Sequence, residues 1–192
     1  MDLTEWLANG YPPWAVYQAI TSCRLVALDK CPCVRLIGIG DIMRRLVCKI
    51  LLIVAGKEAT RACGTYQLCS GLEAGIEGGI YHARSMWDTH VEDDQPWGIL
   101  MIDVRNAFNE GNQKMMVWIA RHVWPSGVYF LFNTYRHHAV LILRGGNTKE
   151  SVFTFSREGI VQGCSLATTG YGLLVLPLIR KLKVEFTSVK SP

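Results

Sequence analysis

The chain has 192 residues, 49% of them hydrophobic and 19% charged, enough for one domain with a sizeable core, too few for two comfortable domains, and a composition that excludes disorder. Seven cysteines are too few for a small disulfide scaffold; their odd number and the lack of a signal-peptide pattern at the N-terminus predict an intracellular, reduced protein. The net charge is +4, with residues 61–120 (8 acidic, 4 basic) set between basic flanks, a layout that suits both a polyanion binder with a central carboxylate site and an ordinary solvated surface.

In chain order, the first helix is expected from Pro13 to about Ser22, with proline suited to an early helical position. Cys23–Leu28 reads as a strand, Asp29–Cys33 as a turn, and Val34–Ile39 as a second strand closed by Gly38 and Gly40. Asp41 is placed to cap a helix whose apolar stripe is Ile42, Leu46, Ile50 and Ile53, with Arg44, Arg45 and Lys49 largely off it. Residues 71–90 carry Leu72, Ile76, Ile80, Ala83 and Trp87 at helical spacing. The glycines within that segment imply either close packing or a poor helix.

An acidic loop, Glu92–Pro96, leads into Trp97–Ile102, a nearly continuous apolar run that predicts a central strand buried on both faces and ending at Asp103. A helix over 111–122 and a break at Trp124–Gly127 follow. Val128–Tyr135 reads as either strand or helix. Ala139–Leu143 and Ser151–Phe155 flank a Gly-Gly-Asn turn as a β-hairpin, and 165–182 is an apolar helix that Pro177 should kink or break. The mixture predicts an α+β fold in one continuous domain. Neither Ile50–Ala55, fenced by Lys49 and Lys57, nor Leu166–Ile179, interrupted by threonines, glycines and Pro177, is a membrane span.

Asp103 is the sharpest chemical feature. A carboxylate leaving a rigid strand suits a hard cation such as Mg²⁺, and equally suits an aspartate that only caps the next turn. Cys31-Pro-Cys33 lacks a second close pair to complete a zinc site, and Gly38-Ile-Gly40 has Met43 where a dinucleotide-binding turn needs its third glycine.

Several segments together resemble the reverse transcriptases of non-LTR (LINE-like) retrotransposons, over roughly Trp14 to Phe186. Val34-Arg-Leu-Ile-Gly-Ile-Gly and the following Arg44–Leu51 are similar to the fingers segment, R-P-I and an amphipathic helix. Gln67-Leu-Cys-Ser-Gly71 resembles Q-x-G-F. Ile99-Leu-Met-Ile-Asp-Val-Arg-Asn-Ala-Phe-Asn109 resembles motif A, an apolar strand and D-x-x-x-A-F, and Gly159-Ile-Val-Gln-Gly-Cys-Ser-Leu166 resembles motif B, G-x-x-Q-G-D-P-L.

The resemblance implies the fingers and partial palm of a right-hand polymerase without its thumb, about 14–96 mainly fingers and about 97–186 mainly palm. It implies an RNA-directed DNA polymerase that adds deoxynucleoside triphosphates to a DNA primer on an RNA template by two-metal phosphoryl transfer, in an intracellular setting that includes the nucleus. In that reading Asp103 is the catalytic, Mg²⁺-binding residue. Phe108 sits under the sugar and excludes a 2′-hydroxyl, Arg35 and Lys30 hold the triphosphate, and Gln162 and Gly163 contact the nucleotide's sugar and the template base pair. Guanidinium suits phosphate oxygens, and glycine permits close backbone approach.

Three departures accompany the likeness. Arg35-Leu36 stands for R-P, Cys164-Ser165 for D-P, and motif C, with its two aspartates, is absent, expected to begin about where the sequence reaches Lys190–Pro192. One carboxylate cannot hold two metals, so the isolated chain is expected to be inactive. A degenerate remnant without a catalytic role and a basic nucleic-acid-binding module are the alternatives. For the binding module, Arg24, Lys30, Arg35, Arg44, Arg45 and Lys49 form one basic block and residues 121–192 another.

Overall fold

A computed structural model describes residues 2–91, 98–144 and 150–186. The acidic loop Glu92–Pro96, Trp97, the Gly-Gly-Asn turn and the last six residues therefore lie outside the described residues. The fold is α+β, with seven α-helices and one four-stranded mixed sheet among the described residues.

A short helix, α1 (Leu3–Asn9), precedes the one expected first; Asp2 caps it by accepting from the Glu5 amide at 2.7 Å. Helix α2 (Trp14–Thr21) follows the Tyr11-Pro-Pro step. Its fully buried Tyr17 donates to the Leu7 carbonyl and so ties α1 to α2. Strands β1 (Cys23–Lys30) and β2 (Cys33–Gly40) form the expected hairpin, in register from Cys23 opposite Gly40 to Lys30 opposite Cys33. Strands β3 (Ala139–Arg144) and β4 (Ser151–Ser156) form the second, also antiparallel. The two hairpins join where β1 runs parallel to β3, giving the order β2-β1-β3-β4.

Asp41 caps α3 (Ile42–Cys63), accepting from the Met43 amide at 2.8 Å, as its position predicted. The buried face is not the expected one. Val47, Cys48, Leu51, Ala55, Ala59 and Cys63 point inward, whereas Ile42 and Ile53 are 76% and 79% exposed. Alanine and cysteine at the contact let neighbouring helices approach closely, and the larger aliphatic side chains are left on the outer face. Arg44 also faces inward and is 1% exposed, so it is removed from the basic block expected to meet phosphates.

Helix α4 (Gly75–His90) forms where its periodicity predicted, yet none of its residues is buried. Helix α5 (Gln113–Val123) and helix α6 (Pro125–Tyr135) are separated by Trp124 alone, so the expected break shrinks to one residue and the ambiguous 128–135 stretch is helical. Trp124 is fully buried and its indole N–H donates to the Ala55 carbonyl at 2.9 Å, which locks the α5–α6 corner onto α3. Helix α7 (Ala167–Glu185) continues past Pro177 to Glu185 instead of ending there.

The main hydrophobic cluster is drawn from the helices, Trp124 and residues 160–166, with the sheet attached at its edge. No helix among the described residues is long and apolar enough to cross a membrane.

Candidate nucleic-acid interface

Residues 98–104 form no strand and join no sheet. Leu100 and Met101 are 84% and 89% exposed, so the expectation of a central strand buried on both faces is overturned for 98–102. The physical reason lies in the sheet: β1 and β3 pair directly with each other, and the interior places are taken. Asp103 is exposed, at the end of an irregular segment.

Beyond Asp103 the chain turns through Asn106, at φ +50°, whose carbonyl accepts from the Asn109 amide at 2.7 Å and the Glu110 amide at 3.1 Å. This turn is stitched to the segment that opens at Gly159. The Gly159 amide donates to the Gly111 carbonyl at 2.8 Å, and the Ile160 amide to the Phe108 carbonyl at 2.6 Å. Buried Gln113 adds a third link, donating to the Gly159 carbonyl at 2.8 Å and to Ser156 Oγ at 3.3 Å. Gly159 has φ +84°, and a Cβ there would lie 2.3 Å from the Asn109 carbonyl oxygen. Both conformation and space demand glycine.

Phe108 is half-buried with its ring 5.1 Å from that of Tyr171, so part of its surface serves packing. Gln162 lines a cavity of about 310 Å³ between the 158–162 segment and one face of the sheet, where Leu36, Gly38 and Leu141 stand. Its lining includes Glu158 and no cation. The Gly163 amide donates to the Gly38 carbonyl at 3.2 Å, and a Cβ on Gly163 would sit 2.4 Å from that oxygen. Close packing on β2 accounts for this glycine without any nucleic acid.

Lys30 and Arg35 are exposed near the tip of the β1–β2 hairpin. Arg35 pairs with Leu28 and Lys30 with Cys33, so alternation puts Arg35 and Lys30 on the face opposite Leu36 and Gly38. The structure thus brings Phe108, Gln162 and Gly163 near one another and leaves the two cations on the other side of the sheet. Among the described residues no three His, Cys, Asp or Glu side chains group as metal ligands. The residues present do not fit a pair of Mg²⁺ ions, which need several carboxylates.

Sequence reasoning missed Gln113 and the surroundings of Arg44. That guanidinium donates to the Thr21 carbonyl at 3.3 Å and the Tyr135 hydroxyl at 3.5 Å, and lies 3.6 Å from Cys23 Sγ. Cys48 Sγ lies 3.4 Å from Cys164 Sγ beside it. The thiol hydrogen bond from Cys48, the Arg44 charge and the Leu166 amide together hold the Cys164 thiol below its ordinary range, at about 6. The same hydrogen bond and burial push Cys48 up. A thiolate on Cys164 would supply the buried cation with a counter-charge. Only the helical position of Arg44, one turn after a cap, could have signalled its inward direction.

No protein-family model matches this sequence, and no curated protein is similar enough to it to be matched.

Proposed function

We propose that the chain is the fingers and partial palm of an RNA-directed DNA polymerase of the non-LTR retrotransposon type, and that it binds primer–template without adding nucleotides by itself. One observation carries the reading. The two segments that resemble motifs A and B, distant in sequence, are joined by backbone hydrogen bonds from Gly159 to Gly111 and from Ile160 to Phe108.

In this reading Phe108 and Gln162 meet the nucleic acid or the nucleotide's sugar, and the exposed cations Lys30 and Arg35 meet phosphates from the hairpin tip. Asp103 is the carboxylate that this reading assigns to metal binding, and by itself it does not hold two Mg²⁺ ions.

The irregular, exposed 98–104 segment and the lack of a ligand cluster among the described residues favour a second reading, a basic nucleic-acid-binding module without the chemistry. Fluorescence anisotropy with an RNA–DNA primer–template tests the binding that both share. Weak binding is expected, micromolar or poorer at physiological salt, with log affinity falling by about 0.7 to 0.9 per phosphate contact for each decade of salt. Absence of binding at low salt by a demonstrably folded chain would overturn both readings.

A further inference from the structure

A second cavity, of about 670 Å³, lies against α5 and α6, and Gln162 is not among its lining residues. Lys114, Trp118 and Arg121 line it from α5 at helical spacing, and Tyr129 and Phe132 line it from α6. Trp118, Tyr129 and Phe132 are 61%, 58% and 41% exposed, an unusual concentration of large rings in contact with water. No aspartate or glutamate is among the lining residues.

Arg136 closes one end. Its guanidinium donates to the Pro12 carbonyl at 2.8 Å and stands 4.2 Å over the Tyr11 ring, and its buried Nε has no hydrogen-bond partner. Cations and exposed rings without carboxylates form a surface that is positive and flat-faced at once.

We propose that this groove binds single-stranded nucleic acid, with bases stacked on Trp118 and Tyr129 and phosphates held by Lys114 and Arg121. Stacking needs only a π-face from each base, so the site is tolerant of sequence, and the cations follow the backbone. An acidic peptide would satisfy the cations and leave the rings in water, which is why the observations favour nucleic acid. The proposal does not rest on the polymerase reading, since it uses none of the residues of the 99–109 and 159–166 segments.

The test is equilibrium binding of a short oligothymidine and of an abasic oligomer of the same length to the full chain. Trp118→Ala and Tyr129→Ala alter exposed side chains, and unchanged thermal melting will confirm that both variants fold. Each is expected to weaken oligothymidine binding about 5- to 150-fold and to leave abasic binding unchanged. Arg121→Gln should lower the salt slope by about 1. Equal affinity for the two oligomers, or unaltered oligothymidine binding in both ring variants, would overturn the proposal. So would a polyglutamate that competes as well as the oligothymidine does. Loss of primer–template binding with oligothymidine binding intact would count against the polymerase reading alone.

Discussion

Gly159→Ala probes the joint between the two motif-like segments. A side chain at φ +84° costs about 1–2 kcal/mol in left-handed backbone strain. The new methyl would also lie 2.3 Å from the Asn109 carbonyl oxygen, 2.7 Å from its carbon and 2.8 Å from its Cα. All three are backbone atoms and none can swing away, so overpacking adds about 1–3 kcal/mol. Reduced freedom of the unfolded chain returns about 0.4–1 kcal/mol. The net destabilisation is about 1–5 kcal/mol. With a urea slope of about 2 kcal/mol per molar, the unfolding midpoint falls by about 0.5–2.5 M. Gly78→Ala is the control: nothing lies within 4 Å of its added Cβ, and it sits within α4. That variant should gain about 0.5–1 kcal/mol. A Gly159→Ala midpoint equal to or above the parent's would refute the described joint.

Two further perturbations address the core. The Cys164 thiol is held at about 6 in the folded chain against 9.0 ordinarily. A depressed folded value means stability present above 9 and lost as pH falls through 6, so under reducing conditions the urea midpoint should rise between those limits. Cys164→Ala should flatten that rise, and an unchanged pH dependence would contradict the thiolate assignment. Trp124→Ala removes a fully buried ring and its bond to the Ala55 carbonyl. It should cost about 3–5 kcal/mol, seen as a lowered melting temperature; a loss below about 1 kcal/mol would mean that the α5–α6 corner is held by other contacts.

Local signals were the legible part of this chain. Alternation and glycine placed both hairpins, and Asp41 announced its helix, because strands and caps are decided within a few residues. What depended on partners was not legible. Helix α3 is apolar on more than one side through Ile50–Ala55, so periodicity favoured the bulky stripe, and close packing chose the side with Ala55 and Ala59. Residues 99–102 have the composition of a buried strand, but a strand needs a free edge, and the β1–β3 pairing leaves none inside the sheet. Among the site residues, Phe108, Gln162 and Gly163 come together through hydrogen bonds made by neighbouring backbone, which side-chain identity does not announce. Lys30 and Arg35 fall on the other face for a reason that strand parity does contain, once the pairing with Leu28 and Cys33 is known.

Photo-crosslinking maps the contact surface most directly. An RNA–DNA primer–template bearing a photoreactive base near the primer end would be irradiated on the full chain, and the modified peptides identified by mass spectrometry. Adducts within the 103–111 and 159–163 segments, at or beside Phe108 and Gln162, are the predicted result. A chain that binds the duplex and is modified only elsewhere would contradict the claim that these two joined segments form its nucleic-acid site.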